Sequence, residues 1–376
     1  GDSVERSDLD PGASGSSDPQ ILTAPAGSTT PQVAGSSYQS VSDGDLVGVG
    51  AASCDDPAQS TWLVGGSTET GRTSLITLSN PTDVNATVDL SIYDGSGTVS
   101  APGTTGIVVA PNSQKVVPLS GFVSDQGSTV VHVESSGGQI VAHMQETVVR
   151  TLTPGGFDIV SGGAAPSTSQ VIPGVVLEGT EAAQQGDDTA DAAPVLRLFV
   201  PGATAARVTL GITTADGGGS TVNATAEPGI VTDVPLDDFP DGRYSFTISS
   251  TVPIVAGART TRPTQDGATD LGWFASAEPL GDDVVTAVAP GSGARLNLVN
   301  PTREDAEVTI ASGDDEQRVS VVSGDTVTVS PPTSTQLTIT GASGIVAGVT
   351  YDNSDGIAGF PVRPATAVST PVRVYP

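Results

Sequence analysis

Cysteine is nearly missing from this chain of 376 residues, with Cys54 standing alone. An intrachain disulfide is therefore excluded, and with it a small disulfide-stapled scaffold. The length allows about two to four ordinary domains, enough to build cores that need no staple. Basic residues are scarce too: one Lys (Lys115) and thirteen Arg face 42 acidic residues, for a formal net charge of −28. Such a chain repels phosphate backbones and anionic lipid headgroups, which argues against nucleic acid as a partner. The same charge suits solubility in an external medium. No apolar run reaches about 18 residues, so no direct membrane span is expected. The chain opens on Gly1, and a signal or anchor segment is expected to have preceded it. Ala51-Ala52-Ser53-Cys54 has the outline of a lipoprotein cleavage box, but no basic and apolar leader comes before it. Cys54 reads instead as a small hydrophobe near a strand end.

What is present points to strands. The chain carries 46 Gly and 28 Pro, and its apolar residues are mainly Val, Ile, Leu and Ala in short runs. That composition suits many short strands joined by turns. Helical periodicity is not found over any 12-residue window. The acidic stretch 178–193 reads as a surface loop with room for a helical turn. The bias toward Arg over Lys, with abundant Ala, Gly, Val and Asp, is that of a high-GC bacterial genome.

The strongest signal is an internal repeat. Leu75-Ile76-Thr77-Leu78-Ser79-Asn80-Pro81-Thr82 is followed by Ala86-Thr87-Val88-Asp89-Leu90. Leu296-Asn297-Leu298-Val299-Asn300-Pro301-Thr302 is followed by Ala306-Glu307-Val308-Thr309-Ile310. A weaker middle copy runs Leu196-Arg197-Leu198-Phe199-Val200-Pro201, then Ala206-Arg207-Val208-Thr209-Leu210. Each reads as strand, Pro-containing turn, strand. Ile-Val-Ala triplets begin at Ile140, Ile254 and Ile345, each after a short apolar run, and are expected to form three hairpins. An aromatic strand closes each copy: Phe157-Asp158-Ile159-Val160, Leu271-Gly272-Trp273-Phe274 and Ile357-Ala358-Gly359-Phe360. A spacing of about 100 residues fits a sandwich rather than a solenoid.

The expectation is an all-β chain of three tandem immunoglobulin-like antiparallel β-sandwich modules, with linkers free to share strands between neighbours. Residues 1–40 are a flexible acidic spacer, and the modules cover 41–172, 173–282 and 283–376. The last strand, Val372-Arg373-Val374, is expected to pack back on its own module.

Trp62-Leu63-Val64-Gly65-Gly66, the Leu-x-Leu-x-Asn-Pro-Thr strand-turn and the Ile-Val-Ala segments together give the region 45–376 a family likeness. It resembles an uncharacterised family of secreted or membrane-anchored actinobacterial envelope proteins carrying a domain of unknown function. The resemblance implies a cell-envelope location behind an N-terminal anchor. It brings no catalytic residues with it.

Little chemistry is visible. His132 and His143 are the two histidines; on the arms of one hairpin they would be cross-strand or diagonal neighbours, with Glu134 or Glu146 as a further ligand. Two histidines alternating with Val fall short of a zinc set, so strand-surface or half-buried roles are expected. Gly291-Ser292-Gly293 lies in a linker and not on a nucleophile elbow. Asp352-Asn353-Ser354-Asp355-Gly356 lacks calcium-loop ligand spacing and reads as a turn. Asp216-Gly217-Gly218-Gly219 has no Lys and no following helix, hence no phosphate cradle. Trp62 and Trp273 are expected in the core rather than on a sugar-stacking face. Asn85-Ala86-Thr87 and Asn223-Ala224-Thr225 are formal glycosylation sequons, read here as strand starts. No catalytic, cofactor or metal residues are assigned, and no cofactor is expected. The expected function is a non-catalytic extracytoplasmic scaffold or protein-interaction protein of the actinobacterial cell envelope, meeting an envelope protein or polysaccharide. A carbohydrate-binding module or adhesin is the first alternative, a divergent hydrolase the second.

Overall fold

The computed structural model describes residues 5–8, 20–24, 32–185, 190–214, 218–264, 268–364 and 372–374. They form an almost entirely β structure of antiparallel sheets. Period-2 patterning decides which side chains go inside. In strand Ala86–Asp94, Ala86, Val88, Leu90 and Ile92 are buried while Thr87 and Asp89 are exposed. Strand Ala206–Thr214 buries Val208, Leu210 and Ile212 and exposes Arg207 and Thr209. Strand Ala306–Ser312 does the same with Val308 and Ile310.

The Asn-Pro-Thr turn preceding two of these strands has a definite construction. Asn80 Nδ2 donates to the carbonyls of Val84 and Val109, while Asn80 Oδ1 accepts from both the amide and the hydroxyl of Thr82. Asn300 repeats this with Glu304, Val321 and Thr302. The side chain thus replaces backbone partners that the turn leaves unpaired.

Three large apolar clusters result, each between two layers of strands. The first lies between the sheet Ser113–Pro118, Arg72–Asn80, Val141–Arg150, Thr153–Val160 and the sheet Ser60–Val64, Thr129–Gly137, Ala86–Asp94, Gly97–Thr98. The second is built around the 22-residue strand Gly242–Pro263. Its first half pairs with Ser167–Leu177 and Ala206–Thr214, its second with Val195–Phe199 and Thr269–Ala275. The third lies between Asp283–Val288, Thr335–Thr340, Ala306–Ser312, Asp315–Val321 and Thr326–Val329, Ala294–Val299, Val346–Asn353, Gly356–Pro361.

The long strand corrects the expected hairpins. Thr129–Gly137 pairs with Ser60–Val64 and Ala86–Asp94, whereas Val141–Arg150 pairs with Arg72–Asn80 and Thr153–Val160. The two arms therefore sit in opposite sheets, and the chain crosses the core edge between them. Gly137, at φ 82°, turns the chain out of the first sheet. In the second repeat, Ser249-Ser250-Thr251-Val252-Pro253 has no glycine, and the strand continues from one sheet into the other.

The first two cores are each closed by a strand from the next repeat, and the third by one from the N-terminal hairpin. Leu271 and Trp273, on Thr269–Ala275, belong to the first cluster, while Phe274 of the same strand enters the second. Ile357 enters the second cluster, and Ala358 and Phe360 the third. Ala51, from strand Leu46–Ser53, completes the third. Thr153–Val160, Thr269–Ala275, Gly356–Pro361 and Leu46–Ser53 consequently pack together where the three repeats meet.

The spacer expected over 1–40 needs correction where it is described. Glu5–Asp8 pairs with Gln20–Ala24, which pairs in turn with Val372–Val374. Ser36–Asp43 forms a hairpin with Leu46–Ser53. Ile21 is buried against Val141. Apolar residues spaced within a polar stretch sufficed to dock it. The final strand accordingly joins the N-terminal one, away from the partners expected for it. The remainder of 1–31 lies outside the described residues. The loop 178–193 contains the short helix Thr180–Ala183 and a 3-10 turn Ala190–Ala192, with 186–189 outside the described residues. No helix among the described residues is long and apolar enough to cross a membrane.

Candidate functional site

Three charged places stand out, all where repeats meet. The first is Asp270, fully buried at the junction of the closing strands. Its Oδ2 accepts the amides of Val49 at 3.1 Å and Ile357 at 2.9 Å, and its Oδ1 that of Phe157 at 3.3 Å. One carboxyl thereby ties the N-terminal hairpin to the first and third repeats. Gly48 and Gly156, both at positive φ, leave the room it needs. Burial pushes the Asp270 carboxyl well above the usual range, against the pull of the amide donors. Asp158, also buried, accepts the Trp273 amide at 2.7 Å and is raised for the same reason.

The second place is a charged seam between the first and second repeats. Arg197, with no exposed surface, is held by Asp233 at 2.9 and 3.0 Å, by Ser128 Oγ, and by the carbonyls of Gly66, Gly127 and Thr129. Its guanidinium stacks 5.0 Å above the Trp273 ring. Trp273 Nε1 donates to Glu146 Oε2 at 2.9 Å, which also accepts the Gly66 amide. Asp191 receives Arg72 and Arg150 at about 3 Å. Burial would raise both Asp191 and Asp233, but their arginines outweigh it and hold them low. Glu146 goes the other way, raised by burial despite Arg259 and Arg197.

The third place is a cleft of about 360 Å³ between the N-terminal segment and the first and third repeats, with Gly35, Cys54, Asp55, Trp62, Glu278 and Arg363 in its lining. Asp55 accepts Arg363 through two nitrogens at 3.1 Å and the Ser53 hydroxyl at 2.9 Å. His143 Nε2 stands 3.3 Å from Asp55 Oδ2, at ion-pair distance but outside hydrogen-bond alignment. Burial pushes Asp55 up, yet Arg363 and His143 prevail and hold its carboxyl far below the usual range.

The repeat shows what sets this junction apart. His143 follows the first Ile-Val-Ala triplet, where the other copies have Gly257 and Gly348. A Cβ on Gly257 would stand 3.0 Å from the Val64 carbonyl, and one on Gly348 2.7 Å from the Pro173 ring. Glycine therefore lets the first strand of the preceding repeat lie close at two junctions. At the third junction an imidazole occupies that position, and the junction is filled by Asp55 and Arg363. Reading the residue after each triplet would have found this from sequence. Nothing local in the sequence marks Asp55, Arg363, Arg197 or Asp270, because each acts on groups far along the chain.

The two histidines do not meet. His132 lies in the opposite sheet from His143, stacked on Trp62 with ring centroids 4.0 Å apart, and shares a 2.8 Å hydrogen bond with Ser60 Oγ. Glu134 is 3.7 Å from His132 Nδ1, whereas Glu146 faces Trp273. Burial lowers the His132 pKa, with Glu134 opposing. No group of three or more metal-ligating side chains occurs among the described residues. Trp62 and Trp273 are buried, as expected. Cys54 lies partly buried just past Leu46–Ser53. Ser354-Asp355 is the turn between Val346–Asn353 and Gly356–Pro361. Asp352 beside it proved more than a turn residue: its carboxylate binds Arg243 and Arg262. Asn85 directly precedes a strand, while Asn223 lies inside one, Gly219–Ala226. Gly291-Ser292-Gly293 falls in the connection between Asp283–Val288 and Ala294–Val299. Asp216-Gly217-Gly218-Gly219 lies partly outside the described residues.

Comparison with known proteins adds a family but no activity. No curated protein matches this chain. Among solved structures, one described as the crystal structure of Thermotoga maritima 1070 is similar at 16% identity and a TM-score of 0.25, covering 30% of this chain and 93% of that one. A family profile described as a family of unknown function, DUF5719, matches residues 11–340, and the chain belongs to that family.

Proposed function

We propose that this protein is a non-catalytic extracytoplasmic scaffold or protein-interaction protein of an actinobacterial cell envelope, whose partner is an envelope protein or polysaccharide. The observation that carries the reading is where the charged side chains go. Of the thirteen arginines, Arg72, Arg150, Arg197, Arg243, Arg262 and Arg363 form ion pairs within the chain, most of them joining distant segments. Asp55, Asp191 and Asp233 are held ionised by those arginines, a poor starting point for a general acid. Such bonding fixes the relative position of three repeats and of the loops they carry, which is what a scaffold needs. The net charge of −28 favours an external, soluble setting. Burial of Trp62 and Trp273 weighs against sugar stacking on either ring.

The test is capture from envelope extract on immobilised protein, run beside an assay of turnover on envelope glycans and peptides. The reading predicts a retained, saturable partner and no turnover. Turnover that disappears on replacing one carboxylate such as Asp55 or Glu278 would overturn it.

A further inference from the structure

We infer that the seam between the first and second repeats holds a small monovalent anion, a halide or a carboxylate, on the guanidinium of Arg259. Among the described residues the seam gathers four guanidiniums, those of Arg72, Arg150, Arg197 and Arg259, against three carboxylates, those of Glu146, Asp191 and Asp233. Every carboxylate is already engaged at hydrogen-bond distance. Asp233 is taken by Arg197 and Ser128, Asp191 by Arg72 and Arg150, and Glu146 by Trp273 Nε1 and the Gly66 amide. Among the described residues the positive charge left over belongs to Arg259. Arg259 is 6% exposed; among the described residues its Nε has no hydrogen-bond partner, and its one bond is a long 3.3 Å contact from Nη2 to the Ala193 carbonyl.

A buried guanidinium needs compensation. Trp273 supplies only a weak part of it, with the Arg259 guanidinium 5.9 Å from the ring centroid. The Glu146 side chain cannot turn to Arg259 without releasing the indole and the Gly66 amide. Arg197 repels Arg259. A single negative charge beside the guanidinium neutralises the excess and gives the orphaned Nε an acceptor. Phosphate or sulfate would overshoot one uncompensated charge, and nearby Asp191 and Glu146 oppose a dianion. A halide and the carboxylate of a partner's side chain share the required chemistry.

The test uses the full chain and chloride itself. Chloride NMR line width is followed on adding protein, at constant sodium with sulfate as the replacing anion. Saturable excess broadening in the wild type, lost in Arg259→Gln, is expected. Acetate that reverses the broadening assigns the site to carboxylates as well as halides; acetate without effect assigns it to halides alone. If Arg259→Gln does not fold, bromide-soaked crystals of the wild type replace it, with an anomalous peak expected beside the guanidinium. Equal broadening in a folded Arg259→Gln variant, no excess broadening in the wild type, or bromide crystals without that peak would overturn the proposal.

Discussion

Replacing Arg197 by Met should cost the protein about 3–5 kcal/mol of stability, the range for removing one partner of a buried ion pair. Met retains much of the apolar stem, so the loss reports the guanidinium. Its removal strands the carbonyls of Gly66, Gly127 and Thr129 and withdraws two bonds from Asp233. Asp233 keeps its 2.6 Å bond from Ser128, and its side chain is 23% exposed, which limits the penalty from its unpaired charge. The lower half of the range is therefore expected. Urea unfolding followed by tryptophan fluorescence measures it, with the slope of the transition checked for constancy. Asp233→Asn in the Arg197→Met background should cost less than Asp233→Asn alone, by at least about 1 kcal/mol. A loss below about 1 kcal/mol for Arg197→Met, or strict additivity of the pair, would refute the reasoning that this arginine fastens the first repeat to the second.

Asp55 should make the protein acid-sensitive. Its carboxyl is lower in the folded state than the ordinary 3.8, so its stabilisation is present above about pH 4 and disappears as pH falls below it. Asp55→Asn should lower stability at neutral pH and flatten the acid limb of the stability curve, read by denaturant midpoints across pH. His132 should titrate in the folded protein below the ordinary value of 6.5, because burial against Trp62 disfavours its charge. Stability falls as pH drops through that window, and imidazole NMR shifts supply the midpoint. Gly348→Val should cost about 1–3 kcal/mol by overpacking against Pro173, whereas Gly202→Ala, at an open turn, should cost less by thermal melting.

Much of the fold was legible in the sequence, and the reason is local. Val88, Leu90 and Ile92 announce an in-out strand by their spacing, and the Asn-Pro-Thr turn carries its own hydrogen-bond partners. What failed depended on distant segments. Val131 and Val141 read as two arms of a hairpin because both precede or follow glycine, yet nothing between them states that they belong to opposite sheets. Residues 20–24 look like spacer until Val372–Val374 and Val141 are brought to them. The charged groups follow the same rule. Arg197 sits in a Leu-x-Leu strand whose other copies carry Thr77 and Asn297, and its role appears only once Gly66 and Asp233 are placed beside it. Asp270 has no sequence mark at all, since the amides through which it ties segments together lie 113 or more positions upstream and 87 downstream.

Whether three repeats truly close around Asp270 can be read from the size of the particle in solution. Small-angle X-ray scattering on the monomer should give a radius of gyration of about 21 Å, the value for one compact body of this length. A radius above about 30 Å, as for repeats strung out in a rod, would contradict the account.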